Sequence, residues 1–377
     1  MTVSSTDVLI LGGGVIGLSI ARELRKLGVE DITLVERGTC GRGSTWAAAG
    51  MLSPQAETDE LGPFFELCSS SRDMYPAFAE ELREETGVDI ELDRTGTLYV
   101  AFDDKDAQEL TSRYEWQRQA GLDVERLSGS DIRKLEPQVA DDIDLGLYFP
   151  NDWQVENRRL ATALRKYADL NGINVLENTA AQRLVLDSGR ITAVETTAGT
   201  MSAANVVVAT GAWTSFLNLG QTMMPIQVEP VRGQMVCVKG EERPLRHVIY
   251  THRGYLVPRM DGRILSGSTS EHVGFEVANT EEAVRELTRL ASDILPNSNL
   301  KASDTWAGLR PCSPDGLPVI GHLKGVDGLM IATGHYRNGI LLAPVTARLV
   351  ADNIVNGRLD DVFSTFGPQR FSRAVGV

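Results

Sequence analysis

The 377-residue chain reads as an α/β protein with two sheets, one mainly parallel and one antiparallel, each assembled from separate stretches. Three observations predict this. Residues 7–36 spell a strand, a glycine turn, a helix and a second strand in that order. Two further apolar runs that end in glycine turns lie far apart, at 205–211 and 329–335. Between them, from about residue 226 to 270, the pattern alternates as in antiparallel strands.

The elements follow in order. Residues 7–11 are a short buried strand. Gly12-Gly13-Gly14-Val15-Ile16-Gly17 follows at once, and an amphipathic helix spans 15–26. Residues 32–35 are the next strand, and Glu36 closes it. Such a βαβ unit binds an adenine dinucleotide. Gly12 permits the tight turn, Gly14 lets the backbone approach the pyrophosphate, and Gly17 lets helix and strand pack closely. The helix N-terminus offers free N–H groups and partial positive charge to the phosphates. Glu36 stands where a carboxylate would accept from a ribose, and it would repel a 2′-phosphate. FAD or NAD is therefore expected rather than NADP.

Residues 38–45 are small and polar, and 46–52 form a small-residue segment able to lie against a ligand. Residues 62–86 read as a helix with Phe64, Phe65, Leu67, Met74, Phe78 and Leu82 toward the core. A strand at 97–102 and helices at 104–120 and 155–170 come next. Residues 180–195 form a hairpin turning at Asp187-Ser188-Gly189. The run Asn205 to Gly211 suits the centre of a parallel sheet. Strands at 225–238, 255–259 and 263–267 precede a helix at 280–293. The strand from 329 leads into a helix expected from Gly339 to Asn356.

Composition narrows the class. Apolar residues make up 42% and charged residues 23%, as in an ordinary globular protein. The net charge of −14, without a Lys/Arg-rich run, disfavours nucleic acid and anionic membranes as partners. Cys40, Cys68, Cys237 and Cys312 are scattered, without a CxxC pair. That fits a reducing, cytoplasmic setting and argues against a zinc site. No leader pattern and no transmembrane run is evident. A second GxGxxG is missing, which argues against separate FAD and nicotinamide domains.

Several motifs carry a family resemblance. They are Gly12 to Gly17, Glu36-Arg37, the run from Ser44 to Met51, Val207 to Trp213, Trp306 to Pro311, Asp315 to Gly321 and Gly334 to Pro344. In this order they resemble the D-amino-acid oxidase superfamily of flavoproteins, over nearly the whole chain. Ala47-Ala48-Ala49-Gly50-Met51-Leu52 points to its glycine oxidase branch. The resemblance implies a glutathione-reductase-like FAD-binding Rossmann domain (1–85, 150–222, 306–377). It also implies a DAO-like antiparallel substrate domain (86–149, 223–305) that roofs the flavin. It implies oxidation of glycine or another small amine to an imine, with dioxygen as acceptor and hydrogen peroxide as product. A role in thiamine (thiazole) biosynthesis and a homo-oligomer also follow from it.

The same resemblance assigns residues. Arg310 is the main clamp for the substrate carboxylate, and Arg337 assists. A planar guanidinium can grip a carboxylate through two parallel hydrogen bonds. The competing readings are a structural ion pair for Arg310 and a loop or flavin contact for Arg337. Tyr255 lines the substrate pocket or is a packed strand tyrosine. Ser44 and Thr45 meet the pyrophosphate, and Ala49, Gly50 and Met51 pass the flavin edge. Ala181 holds the adenine, and Gly211 belongs to the cofactor set with Val15, Ile16 and Arg37. His335, Tyr336, Arg337, Asn338, Gly339, Ile340 and Leu341 meet the flavin pyrimidine ring. A helix opening at Gly339 would stabilise negative charge there. His335 is read as structural or flavin-contacting, since hydride transfer from a neutral amine needs no base. Cys312 does not match a covalent flavin attachment, so FAD is expected to be non-covalent. No metal is expected. Arg253 and Ser270 depart from the branch pattern, and both are expected near the pocket mouth. A larger N-substituted glycine, a quinone-coupled dehydrogenase, an RNA-modifying flavoprotein and a nucleotide sensor are the competing functions.

Overall fold

The computed structural model describes residues 4–240 and 244–374. Its first sheet has ten strands. The strand Ser4–Leu11 lies at its centre, parallel to Ile32–Val35 on one side and to Gly199–Val208 on the other. Asn174–Leu176 extends it beyond Ile32–Val35, and Leu329–Thr333 pairs in parallel with the end of Gly199–Val208. These strands are apolar on both faces because both faces are covered.

One face is covered by four helices: Val15–Lys26, Pro63–Thr86, Asn157–Leu170 and Ala343–Asn356. Their apolar stripes share one cluster that includes Leu18, Leu24, Leu82, Leu164, Leu349 and Val350. The long helix ends where Gly87 adopts the left-handed conformation at φ 70°. It buries Phe65, Leu67, Phe78 and Leu82, while Phe64 and Met74 are half-buried.

The expected hairpin forms from Ala181–Asp187 and Arg190–Thr196. Ser188 and Gly189 both have positive φ, as a tight hairpin turn requires.

The second sheet has eight strands and is largely antiparallel. Glu229–Lys239 pairs along its length with Lys301–Cys312, and Ile264–Gly267 and Gly254–Pro258 follow. Thr97–Val100 and Leu145–Phe149 continue the sheet. The helix Glu281–Ile294 packs Leu287, Leu290, Ala291 and Ile294 on this sheet.

Two details differ from the sequence reading. The boundary expected between 305 and 306 falls inside the strand Lys301–Cys312, so Arg310 hangs from the second sheet. The last helix begins at Ala343 rather than Gly339. Gly334 and Tyr336 take positive φ, and residues 336–342 form turns before the helix settles.

Candidate active site

The two sheets enclose one large cavity of about 650 Å³. It starts at the carboxyl end of the first sheet. Gly12 has φ +110°, and a Cβ there would lie 2.3 Å from the Ala209 carbonyl oxygen. A Cβ on Gly17 would lie 2.0 Å from the Gly12 carbonyl oxygen, so helix and turn touch through backbone alone. Glu36 accepts from the Gly13 and Gly38 N–H groups, each at 2.8 Å. Thr45 Oγ1 accepts from the Val15 N–H at 2.9 Å. Gly14, the N-cap of that helix, lines the cavity.

The segment from Ser44 to Gly50 is held between the sheets. Ser44 Oγ donates to the Leu309 carbonyl at 2.5 Å, and Trp306 Nε1 donates to the Ala47 carbonyl at 3.0 Å. A Cβ on Gly308 would meet the Ala47 methyl at 2.4 Å, so only glycine allows this contact. Arg259 reaches across from the second sheet and donates to the Ala49 and Val155 carbonyls at 2.8 and 2.9 Å. Burial pulls its guanidinium down to about 10.

At the other end, Arg310 donates to the Ser268 hydroxyl and, at 3.1 Å, to the Thr269 carbonyl. Tyr255 donates to the same Ser268 hydroxyl at 3.1 Å. Cys312 bridges to His335, and the Tyr336 N–H donates to the Pro311 carbonyl at 3.0 Å. These bonds bring Arg310 beside residues 335–340. Among the described residues, no hydrogen bond engages the Gly339, Ile340 and Leu341 N–H groups. Gly339 and Ile340 line the cavity, so two of these donors lie at its wall.

Residues 7–353 match the family described as DAO, FAD dependent oxidoreductase. The chain belongs to this family. It is 36% identical to the glycine oxidase of Pseudomonas aeruginosa, over 94% of this chain and 96% of that protein. It is 36% identical to the bifunctional protein ThiO/ThiG of a Synechocystis strain, and spans 54% of that protein's length. Its structure resembles the crystal structure of glycine oxidase from Geobacillus kaustophilus, with a TM-score of 0.92 and 35% identity over 99% of this chain and 100% of that one.

The residues of this DAO family member fit FAD. A glycine turn, a helix N-terminus, the Glu36 carboxylate and the free N–H groups of Gly339 and Ile340 run along one cavity. Every residue expected to meet the cofactor lines it except Gly17 and Leu341. Gly17 acts from behind, against Gly12. Leu341 is buried in the helical layer, where Ser71 donates to its carbonyl. Correcting the helix start also changes the charge argument. Free N–H groups of a turn, rather than the dipole of the last helix, face the cavity.

Arg310 and Tyr255 line the cavity too. Among the described residues Arg310 has no carboxylate within 4.0 Å, so its competing reading as a structural ion pair has no partner here. Arg337 differs. Its Nε and Nη2 meet the Glu57 carboxylate at 2.7 and 2.9 Å, and Nη2 also donates to the Tyr250 hydroxyl at 3.0 Å. His335 is 3% exposed, its Nε2 lies 3.0 Å from Thr346 Oγ1, and burial pulls it down to about 3. It is neutral at physiological pH.

The two departures from the branch pattern fall outside the cavity wall. Arg253 pairs with Asp293 at 2.6 Å and stacks on Phe102, so its charge is spent on the helix Glu281–Ile294. Ser270 sits 3.5 Å from the Tyr336 hydroxyl and adjoins the cavity through it. Sequence reasoning missed Glu57, Ser268, Gly233 and Arg259. Each acts through a partner distant in sequence, and none carries a local motif.

Proposed function

We propose that this chain oxidises glycine and other small amines that bear one carboxylate. The products are an imine, which water converts to a 2-oxo acid and ammonia or amine, and hydrogen peroxide. FAD, held along Gly12 to Ile16, Glu36 and residues 335–340, would supply the two-electron acceptor for the hydride from the substrate Cα and the route to dioxygen. The chain supplies position. The Arg310 guanidinium, held by Ser268 and Thr269, takes the carboxylate. Tyr255 shares Ser268 with it and bounds the space for the amine. Small residues at 47–50 let the cofactor lie close, and the second sheet excludes water from above.

One observation carries this reading. Among the described residues Arg310 is a cation without an ionic partner, in the same cavity as the dinucleotide cradle. Glycine oxidase relatives over the whole chain support the substrate class. The likeness to a ThiO/ThiG protein supports a role in thiazole supply. We further propose non-covalent FAD, two discontinuous domains built on the two sheets, a homo-oligomer and a cytoplasmic site of action. No helix among the described residues is long and apolar enough to cross a membrane.

The test is peroxide formation by the purified yellow protein with glycine, sarcosine, D-alanine and D-proline. Peroxide should form fastest with glycine or sarcosine, and Arg310→Ala should lower kcat/KM by about 100-fold or more. Reduction of the flavin without peroxide in air would make the protein a dehydrogenase. Flavin released on acid precipitation would establish the non-covalent state.

A further inference from the structure

Arg310 and Arg337 both line the cavity, yet they are not equivalent. Arg310 bonds only a hydroxyl and a carbonyl. Arg337 is gripped on two nitrogens by Glu57, whose side chain is 8% exposed. This geometry is the strong, bidentate form of the pair. It is also braced. Glu57 ends the short helix Pro54–Glu57, whose Gln55 and Ala56 N–H groups donate to the buried Asp152 carboxyl at 3.1 and 2.8 Å. Tyr250, which accepts from Arg337, packs between Tyr99 and Tyr255. Neither member can turn away without breaking these contacts.

We infer that Glu57 sets the charge specificity of the cavity: by occupying Arg337 it leaves one cation for one carboxylate, so amines with a second carboxylate are rejected. The inference rests on Arg310 as the carboxylate clamp. A second carboxylate near Arg337 would meet a guanidinium whose charge Glu57 already balances and whose Nε and Nη2 are already bonded, and it would face the like charge of Glu57. Discrimination of this kind works by repulsion as much as by attraction. Freed of Glu57, Arg337 would be a half-buried guanidinium at the cavity with open donors and would recruit an anion.

The experiment compares acetate with malonate, each titrated into the FAD-loaded protein and read from the visible flavin spectrum. No turnover is needed. Wild type should bind acetate at least ten times more tightly than malonate. In Glu57→Gln that preference should shrink by at least tenfold, and the KM for iminodiacetate should fall relative to that for glycine. The double variant Glu57→Gln/Arg337→Gln should return toward the wild-type preference, because the freed cation is gone. If Glu57→Gln takes up no FAD, Arg337→Gln serves instead. It leaves Glu57 uncompensated and should weaken malonate more than acetate.

Equal binding of the two anions by wild type overturns the inference. So does an unchanged preference in a yellow Glu57→Gln, or a gain that survives in the double variant. Arg310→Ala separates the underlying reading. If acetate binding persists without Arg310, the clamp is wrong. If it depends on Arg310 while the preference ignores Glu57, only the role of Glu57 fails.

Discussion

Gly233 makes room for Arg310. The two lie on neighbouring strands of the second sheet, and a Cβ on Gly233 would sit 2.3 Å from Nη1 of Arg310. The guanidinium therefore rests over a bare backbone, aimed at Ser268 and Thr269.

Gly233→Ala should push the guanidinium aside without unfolding the protein, since the side chain that must yield is long and flexible. We expect normal FAD content and a KM for glycine raised about 10- to 100-fold, a loss of roughly 1.5 to 3 kcal/mol in carboxylate binding. Steady-state kinetics on the yellow variant checks this, and an unchanged KM would refute it.

Two glycines of the phosphate turn should fail differently. A Cβ on Gly17 meets the Gly12 backbone at 2.0 Å, and backbone cannot yield cheaply. Gly17→Ala should lower stability by about 1 to 3 kcal/mol or more and lose FAD with it. A Cβ on Gly14 meets only Thr45 Oγ1, at 3.4 Å. Gly14→Ala should keep the fold yet weaken FAD, because the methyl enters the cavity. Thermal denaturation of apoprotein and a FAD titration, run side by side, separate the two.

His335 should leave the activity profile alone and mark acid stability. Burial pulls its folded pKa to about 3, below the ordinary value of 6.5. The folded state thus binds fewer protons than the unfolded one. Its contribution is fully present above pH 6.5 and is lost as pH falls toward 3. At pH 5 the loss is roughly 2 kcal/mol. In His335→Gln the difference in stability between pH 7 and pH 5 should shrink by that order, measured by urea denaturation. The acid limb of kcat/KM should not move.

Asp152 should act in the opposite sense. Burial raises its carboxyl from 3.8 to about 7, although the Gln55 and Ala56 N–H groups favour its charge. Here the folded state holds the extra proton. Stability from this group is greatest below pH 4 and is lost as pH rises to 7, by about 4 kcal/mol at most. Asp152→Asn cannot ionise, so it should flatten that slope. It should be less stable than wild type near pH 4, by about 1 kcal/mol for one lost hydrogen bond, and more stable at pH 8. Denaturation midpoints across this range would reveal a slope that stays unchanged if the assignment is wrong.

Much of the architecture was legible in the chain. The first βαβ unit was, because its strand, glycine turn and helix are set by contacts a few residues apart. The helix from Pro63 and the hairpin at Ser188-Gly189 followed from periodicity and turn chemistry. The start of the last helix was less legible. Gly339 looked like an opening residue, yet residues 339–342 form turns, with the Ala343 N–H on the Ile340 carbonyl, and the helix begins at Ala343.

By itself, the sequence determined the dinucleotide cradle and the two-sheet plan, and through its family resemblance it pointed to Arg310 as a candidate clamp. These depend on local spacing and on motifs that keep their order. Only the tertiary structure decided which cations are free. Arg337 and Glu57 are 280 positions apart, and Arg253 finds Asp293 on a helix 40 positions away. A charge is available to a ligand only if no neighbour has already taken it, and neighbours across a cavity are a property of packing rather than of sequence.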